Sequence, residues 1–173
     1  KSTRSHIYSI LQLRLHPKII QLRKEFARIE KKIDVDLTYI TSRGKWYNKS
    51  WKGQKEKSGG IAANIGVHFF DMLLWIFGSV KEYEVHNTDK TSKGVLMLDN
   101  AEVSYNLSIK KEDLPWDEWK PYRSITIDKE EIEFSTGFTE LHDISYKKIL
   151  RGEGFTLKDV EPTIELIEKI RLG

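Results

Sequence analysis

Apolar and polar residues alternate over residues 35–41, with Val35, Leu37, Tyr39 and Thr41 in one phase. That is the pattern of a half-buried strand. Residues 6–15 alternate too, but both phases carry apolar side chains, which predicts a strand covered on both faces. His16-Pro17 stops it, and Pro17 opens a helix where its missing N–H costs nothing. Ile19, Ile20, Leu22, Phe26 and Ile29 give that helix an apolar face. Residues 42–60 are polar and rich in Lys, Trp and Gly, predicting a long connection without regular structure. Residues 60–78 then predict a long helix, apolar on most sides and therefore buried. Residues 80–87 read as a strand, residues 93–98 and 101–109 as a hairpin around Asp99-Asn100, and residues 122–127 and 130–134 as a second hairpin. Two helices close the chain. The first runs through Leu141, Ile144, Tyr146 and Leu150 to a cap at Gly152. The second starts at the capping pair Thr156 and Asp159 and turns Val160, Ile164, Ile167 and Ile170 to the core.

The long apolar helix is broken by Asn64, His68 and Asp71. Offsets of four and three place all three on one face. Buried polar groups are either satisfied internally or aimed at a wet cavity. A single histidine fits a core residue bonded to its neighbours. Three polar residues in register behind Gly59-Gly60 favour the wall of an active site. In the preceding connection, Trp46, Tyr47 and Trp51 are interleaved with Lys45, Lys49, Lys52, Lys55 and Lys57. Such a loop stacks on a sugar or base and pairs with carboxylate or phosphate, or it is a surface loop pinned by its aromatics. Arg14 has two readings as well: a solvated arginine at a strand end, or a charge at the site.

The chain of 173 residues is long enough for one domain with a real core. Its 29 basic and 26 acidic residues are well mixed, which argues against a nucleic-acid reader with a concentrated basic face. The modest positive balance suits an anionic small substrate. Cysteine is absent, so thiolate chemistry is excluded and a cytoplasmic location is unopposed. No apolar run reaches the length of a membrane span. His16, His68, His86 and His142 lack metal-site spacing, so no metal is expected.

The run Gly59-Gly60, Asn64, Gly66, His68, Asp71 resembles the motif of the Gfo/Idh/MocA oxidoreductases, in which many members carry Asp at the place of Asn64. Residues 11–17, 43–47, 50–53 and 122–126 are similar to bacterial UDP-N-acetyl-D-glucosaminuronate dehydrogenases of lipopolysaccharide and O-antigen sugar synthesis. The resemblance implies an α+β fold, with an open, mostly antiparallel sheet and helices on one face. It also implies a homo-oligomer built through the sheet. Residues 1–16 would be the last strand and junction of a dinucleotide-binding domain, and residues 17–173 the substrate-binding and oligomerisation domain. No Gly-x-Gly-x-x-Gly follows a strand, so the chain is expected to be the C-terminal part of a longer enzyme, unable alone to hold NAD tightly or turn over.

The implied reaction is NAD-dependent oxidation of the sugar 3-hydroxyl of a UDP-linked N-acetyl-glucosaminuronate, with α-ketoglutarate as reoxidant. His68 is the expected acid/base, because imidazole titrates near working pH. Asn64 is expected to hold a sugar hydroxyl, and Asp71 to touch substrate or orient the helix. Arg14, Lys57, Trp46, Tyr47 and Lys52 are expected to bind the carboxylate and diphosphate. The alternatives are another sugar or inositol dehydrogenase of the same superfamily and a non-catalytic oligomerisation or sugar-binding domain. The loop 43–53 discriminates: if it turns away from His68, the nucleotide-sugar reading weakens.

Overall fold

The computed structural model describes residues 5–29, 31–118, 120–132, 138 and 140–173. In chain order its elements are β1 (Tyr8–Ser9), α1 (Pro17–Phe26), β2 (Ile33–Ile40), α2 (Lys45–Lys49), α3 (Lys55–Ser58), α4 (Val67–Phe77), β3 (Val80–Asn87), β4 (Thr91–Leu98), β5 (Ala101–Ser108), β6 (Tyr122–Ile127), β7 (Glu130–Glu131), α5 (Leu141–Leu150), β8 (Phe155–Thr156) and α6 (Leu157–Leu172). Six strands form one sheet in the order β3-β4-β5-β2-β6-β7, antiparallel throughout except for the parallel pair β2 and β5.

Alternation decides which face of this sheet is covered. Ile33, Val35, Leu37, Leu96, Leu98, Ala101, Val103, Tyr105, Leu107, Ile125 and Ile127 are all 6% exposed or less, while Asp34, Asp36, Lys93 and Ser104 between them stay exposed. The helices pack on the apolar face, so the fold is the expected α+β arrangement of an open, mostly antiparallel sheet covered on one side. The central helix α4 lies directly on it. Phe69 meets the Tyr39 ring at 5.0 Å, Phe70 meets Tyr105 edge-on at 5.1 Å, and Phe77 meets Phe26 of α1 at 5.4 Å. The start of α4 therefore sits over the ends of β2 and β5. Its last turn lies over their beginnings, where Asn100 N–H donates to the Phe77 carbonyl.

Four expectations are corrected. Residues 6–15 are not a continuous strand: only Tyr8–Ser9 pairs, antiparallel to Phe155–Thr156, and Gln12–Leu15 is a 3-10 turn. Leu11, Gln12, Leu13 and Arg14 are all buried in succession, which a strand of period two does not require. Residues 42–60 are not irregular, since α2, a 3-10 turn over Trp51–Gly53 and α3 fill most of the segment. The long helix does not start as an α-helix: Ala62–Gly66 is a π turn leading into α4. Ile164 of α6 is 51% exposed, and Ile144 of α5 is exposed too. The inward face of α6 is instead Thr163, Leu166, Ile167 and Ile170, the spacing of one helical stripe. Residues 133 and 134 of the second hairpin lie outside the described residues. The turn of that hairpin uses the left-handed conformation at Asp128 and Lys129 (φ 48° and 69°), as two-residue hairpin turns require.

Thr163 is inward because of Asp71. The Arg14 guanidinium grips the Asp71 carboxylate with two bonds, Nε to Oδ2 at 2.9 Å and Nη2 to Oδ1 at 2.6 Å. The Thr163 hydroxyl donates to Oδ1 at 2.9 Å, and Arg14 Nη2 also donates to the Asp159 carbonyl at 2.9 Å. Arg14 is 9% exposed and Asp71 1%. This network joins the N-terminal 3-10 turn, α4 and α6. Asp159 meanwhile closes the predicted capping box with Thr156, whose N–H and hydroxyl both donate to Oδ2 at 2.7 Å.

Two stability effects follow. Asp71→Ala leaves a buried guanidinium without its anion, and urea unfolding is expected to register a loss of roughly 3–5 kcal/mol. Gly66→Ala places a Cβ 2.7 Å from both Leu107 Cδ1 and Phe70 Cε2, two fully buried side chains. That overpacking is expected to cost about 1–3 kcal/mol in the same assay.

Candidate active site

The approach to the site begins at Gly59 and Gly60, both with positive φ (80° and 79°), which turn the chain from α3 into the π turn. A π turn inserts one extra residue per turn, and such turns recur at functional sites. Here it ends at Gly66, whose bare Cα lets the turn settle on Leu107 of β5. Asn64 lies in this turn and His68 at the start of α4. The Asn64 amide donates to the Lys52 carbonyl at 3.0 Å, so the loop 43–53 is fastened to the helix one turn before His68.

His68 is partly buried, and its Nδ1 is buried without a hydrogen-bond partner among the described residues. Burial pushes its pKa below the ordinary imidazole value. The Asp71 charge opposes that shift, and His142 of α5 adds to it. The ring is therefore neutral at neutral pH and free to accept a proton. Asp71 supplies a field and no hydrogen bond to His68; its oxygens accept from Arg14 and Thr163 instead.

The other expected residues divide. Arg14 and Asp71 face each other in the interior, and their bonds to one another use the Arg14 Nε and Nη2 and both Asp71 oxygens. Tyr47 belongs to the core, and burial raises its pKa. Trp46 is 55% exposed and meets the Tyr47 ring edge-on at 5.9 Å. Lys57 is exposed on α3. Lys52 sits 5.9 Å from the Trp51 ring. Tyr47 and Lys52 share the wall of a cavity of about 510 Å³ beside Gly59-Gly60, completed by Lys55, Thr88, Ile170 and Arg171 among others, and neither Asn64 nor His68 lines it. Tyr47 and Lys52 of the loop thus line a cavity that His68 does not share, and the Asn64 bond to Lys52 is the link between the two groups.

Sequence reasoning missed a second cation. Arg123 of β6 stands opposite Tyr39 of β2, on the covered face of the sheet. Its guanidinium carbon lies 4.6 Å from the centre of the Phe138 ring, 5.3 Å from Tyr39 and 5.8 Å from Phe69. Phe69 directly follows His68 in α4. The advance signals were its place in the alternation of β6, two residues before the buried Ile125, and the resemblance carried by residues 122–126. Among the described residues no three His, Cys, Asp or Glu gather as a metal site. Gly59-Gly60 follows a short helix and not a strand, so these residues do not form the strand–turn–helix cradle that holds a dinucleotide's pyrophosphate. No helix among the described residues is long and apolar enough to cross a membrane.

Residues 31–112 match the model of the oxidoreductase family C-terminal alpha/beta domain. The chain is similar to the WlbA (WbpB) dehydrogenase from Thermus thermophilus in complex with NAD and α-ketoglutarate, at 45% identity and a TM-score of 0.89. The same enzyme in complex with NAD and UDP-GlcNAcA gives 44% and 0.88. In both cases the match covers 96% of this chain and 55% of the other, so the chain spans about half the length of these relatives. The WlbA dehydrogenase from Bordetella pertussis, at 19% identity and a TM-score of 0.73 over 95% of this chain and 59% of that one, shares the fold. The chain belongs to the Gfo/Idh/MocA oxidoreductase family and carries its C-terminal α/β domain.

Proposed function

We propose that these residues form the sugar-facing part of an NAD-dependent nucleotide-sugar dehydrogenase that oxidises the 3-hydroxyl of UDP-N-acetyl-glucosaminuronate, in the synthesis of lipopolysaccharide sugars in the cytoplasm. The observation that carries the reading is His68: partly buried, its Nδ1 without a hydrogen-bond partner among the described residues, on a helix whose position is fixed from behind. His68 takes the proton of the hydroxyl as it becomes a ketone. Asn64 has committed its amide N–H to Lys52 and keeps its carbonyl oxygen for a sugar hydroxyl. Lys52, Lys57 and Trp46 are the residues of the expected set left to meet the diphosphate side of the substrate. Arg14 and Asp71 act by holding α4 in place. NAD supplies the hydride acceptor, held by residues outside this chain.

Similarity to an enzyme solved with UDP-GlcNAcA supports the substrate class, and its complex with α-ketoglutarate supports that acid as the reoxidant. The outer face of the sheet, with Asp34, Asp36, Lys93 and Ser104 exposed, is the surface we assign to pairing with further copies of the chain.

The full-length gene product, given UDP-GlcNAcA and NAD, is expected to reduce the nicotinamide, followed by absorbance. His68→Asn is expected to lower kcat by about a hundredfold or more with binding retained. Full activity in the variant, or no reduction by the parent, contradicts the assignment. Stability carries a second signature. In the unfolded chain His68 titrates at about 6.5, and in the folded chain lower, so the unfolded state takes up the proton first as the pH falls. The contribution of His68 is complete above about pH 6.5 and is lost as the pH drops through the folded value. Urea midpoints compared at about pH 7.5 and 5.5 are expected to fall less in His68→Asn than in the parent.

A further inference from the structure

Arg123, whose guanidinium meets the Phe69 ring beside His68, is left unused by the proposed reaction. Its Nε is buried without a hydrogen-bond partner, and the guanidinium forms no ion pair among the described residues. Among the described residues three rings stand around it: Phe138, Tyr39 and Phe69. Aromatic faces attract a cation but do not satisfy its N–H donors, and a guanidinium carries five of them in a planar fork. Arg123 is held among these rings with its Nε–H unspent on any described residue. Leaving such donors buried costs free energy unless a ligand meets them. The ligand that fits the fork is a planar anion with two oxygens, a carboxylate.

The position suits the same reading. Arg123 stands opposite Tyr39, one residue from the end of β2, and the start of α4 covers that end. Phe69 contributes to the cage while the preceding His68 offers its unpartnered nitrogen. Arg43, three residues beyond β2, likewise has a buried Nε without a partner, so this end of the sheet carries a second unsatisfied cation.

We infer that Arg123 is the specificity residue of the site, taking the carboxylate of a sugar acid in its aromatic cage while His68 addresses the ring hydroxyl. The inference rests on the sugar dehydrogenase reading and adds what that reading does not give: the feature by which a uronic acid is told from the neutral sugar. Exchanging the carboxylate for a hydroxymethyl group removes the charge on the sugar ring and leaves the diphosphate in place.

The test is a binding titration of the full-length protein with UDP-GlcNAcA and with UDP-GlcNAc, which carries CH2OH in place of the carboxylate. The parent is expected to prefer the acid by roughly tenfold to a hundredfold, the worth of a charge-assisted bond. Arg123→Gln is expected to erase that preference while binding of UDP-GlcNAc changes little. Arg123→Lys keeps the charge but loses the fork, and is expected to retain part of the preference. Should the Gln variant not fold, the Lys variant decides, because undiminished preference there contradicts a role for the fork. The inference is overturned if Arg123→Gln keeps the acid preference, if the parent shows none, or if a folded variant loses both ligands equally, as a purely structural residue would. Nicotinamide reduction by the parent tests the earlier reading separately, since acid preference is read from binding and not from turnover.

Discussion

The arrangement depends on a buried ion pair. Arg14 and Asp71 come from segments 57 residues apart and meet where water is excluded. A charge in such a place needs partners, and this pair has four bonds: two between guanidinium and carboxylate, a third from Thr163 and a fourth to the Asp159 carbonyl. The pair sets the N-terminal turn, the central helix and the last helix relative to one another. On the other side of α4, burial lowers the His68 pKa, the Asp71 charge opposes that shift and His142 adds to it.

The other end of α4 is organised by close approach. Gly66 brings the π turn onto Leu107, and Phe69 and Phe70 seat the first helical turn on Tyr39 and Tyr105. Aromatic packing here has two consequences. It fixes the backbone that carries Asn64 and His68, and it builds the cage in which Arg123 is held. Unsatisfied groups gather at this end, at His68 and Arg123, and Arg43 adds a third. In a native interior such groups are few, and a cluster of them marks a place where something else binds.

Much of this was legible in the sequence. The alternation Val35, Leu37, Tyr39 gave β2, Asp99-Asn100 marked the hairpin between β4 and β5, and Thr156 with Asp159 marked the start of α6. Asn64, His68 and Asp71 stood out because polar residues in an apolar helix need partners. What was not legible depends on tertiary partners. Hydrophobic periodicity turned Ile164 inward, but Thr163 holds that side because Asp71 requires its hydroxyl. Alternation over residues 6–15 implied a strand, whereas burial of four successive residues to deliver Arg14 to Asp71 required a 3-10 turn. The polarity of residues 42–60 hid three short helical turns; Tyr47 buries the first and the Asn64 amide holds the Lys52 carbonyl of the second, while no side chain of the second or third is buried. Arg123 was invisible as a site residue because its cage comes from β2, α4 and Phe138, which meet only through the fold.

The central claim is that His68 is a neutral base aimed at a sugar, held there by a helix tied from behind. The most direct measurement is an NMR titration of the His68 ring in isotope-labelled protein, with and without UDP-GlcNAcA. The account predicts a pKa below the ordinary imidazole value in the free protein and a change in the ring's resonances and titration when the sugar binds. A His68 that is protonated at neutral pH, or whose ring does not respond to the sugar, would contradict it.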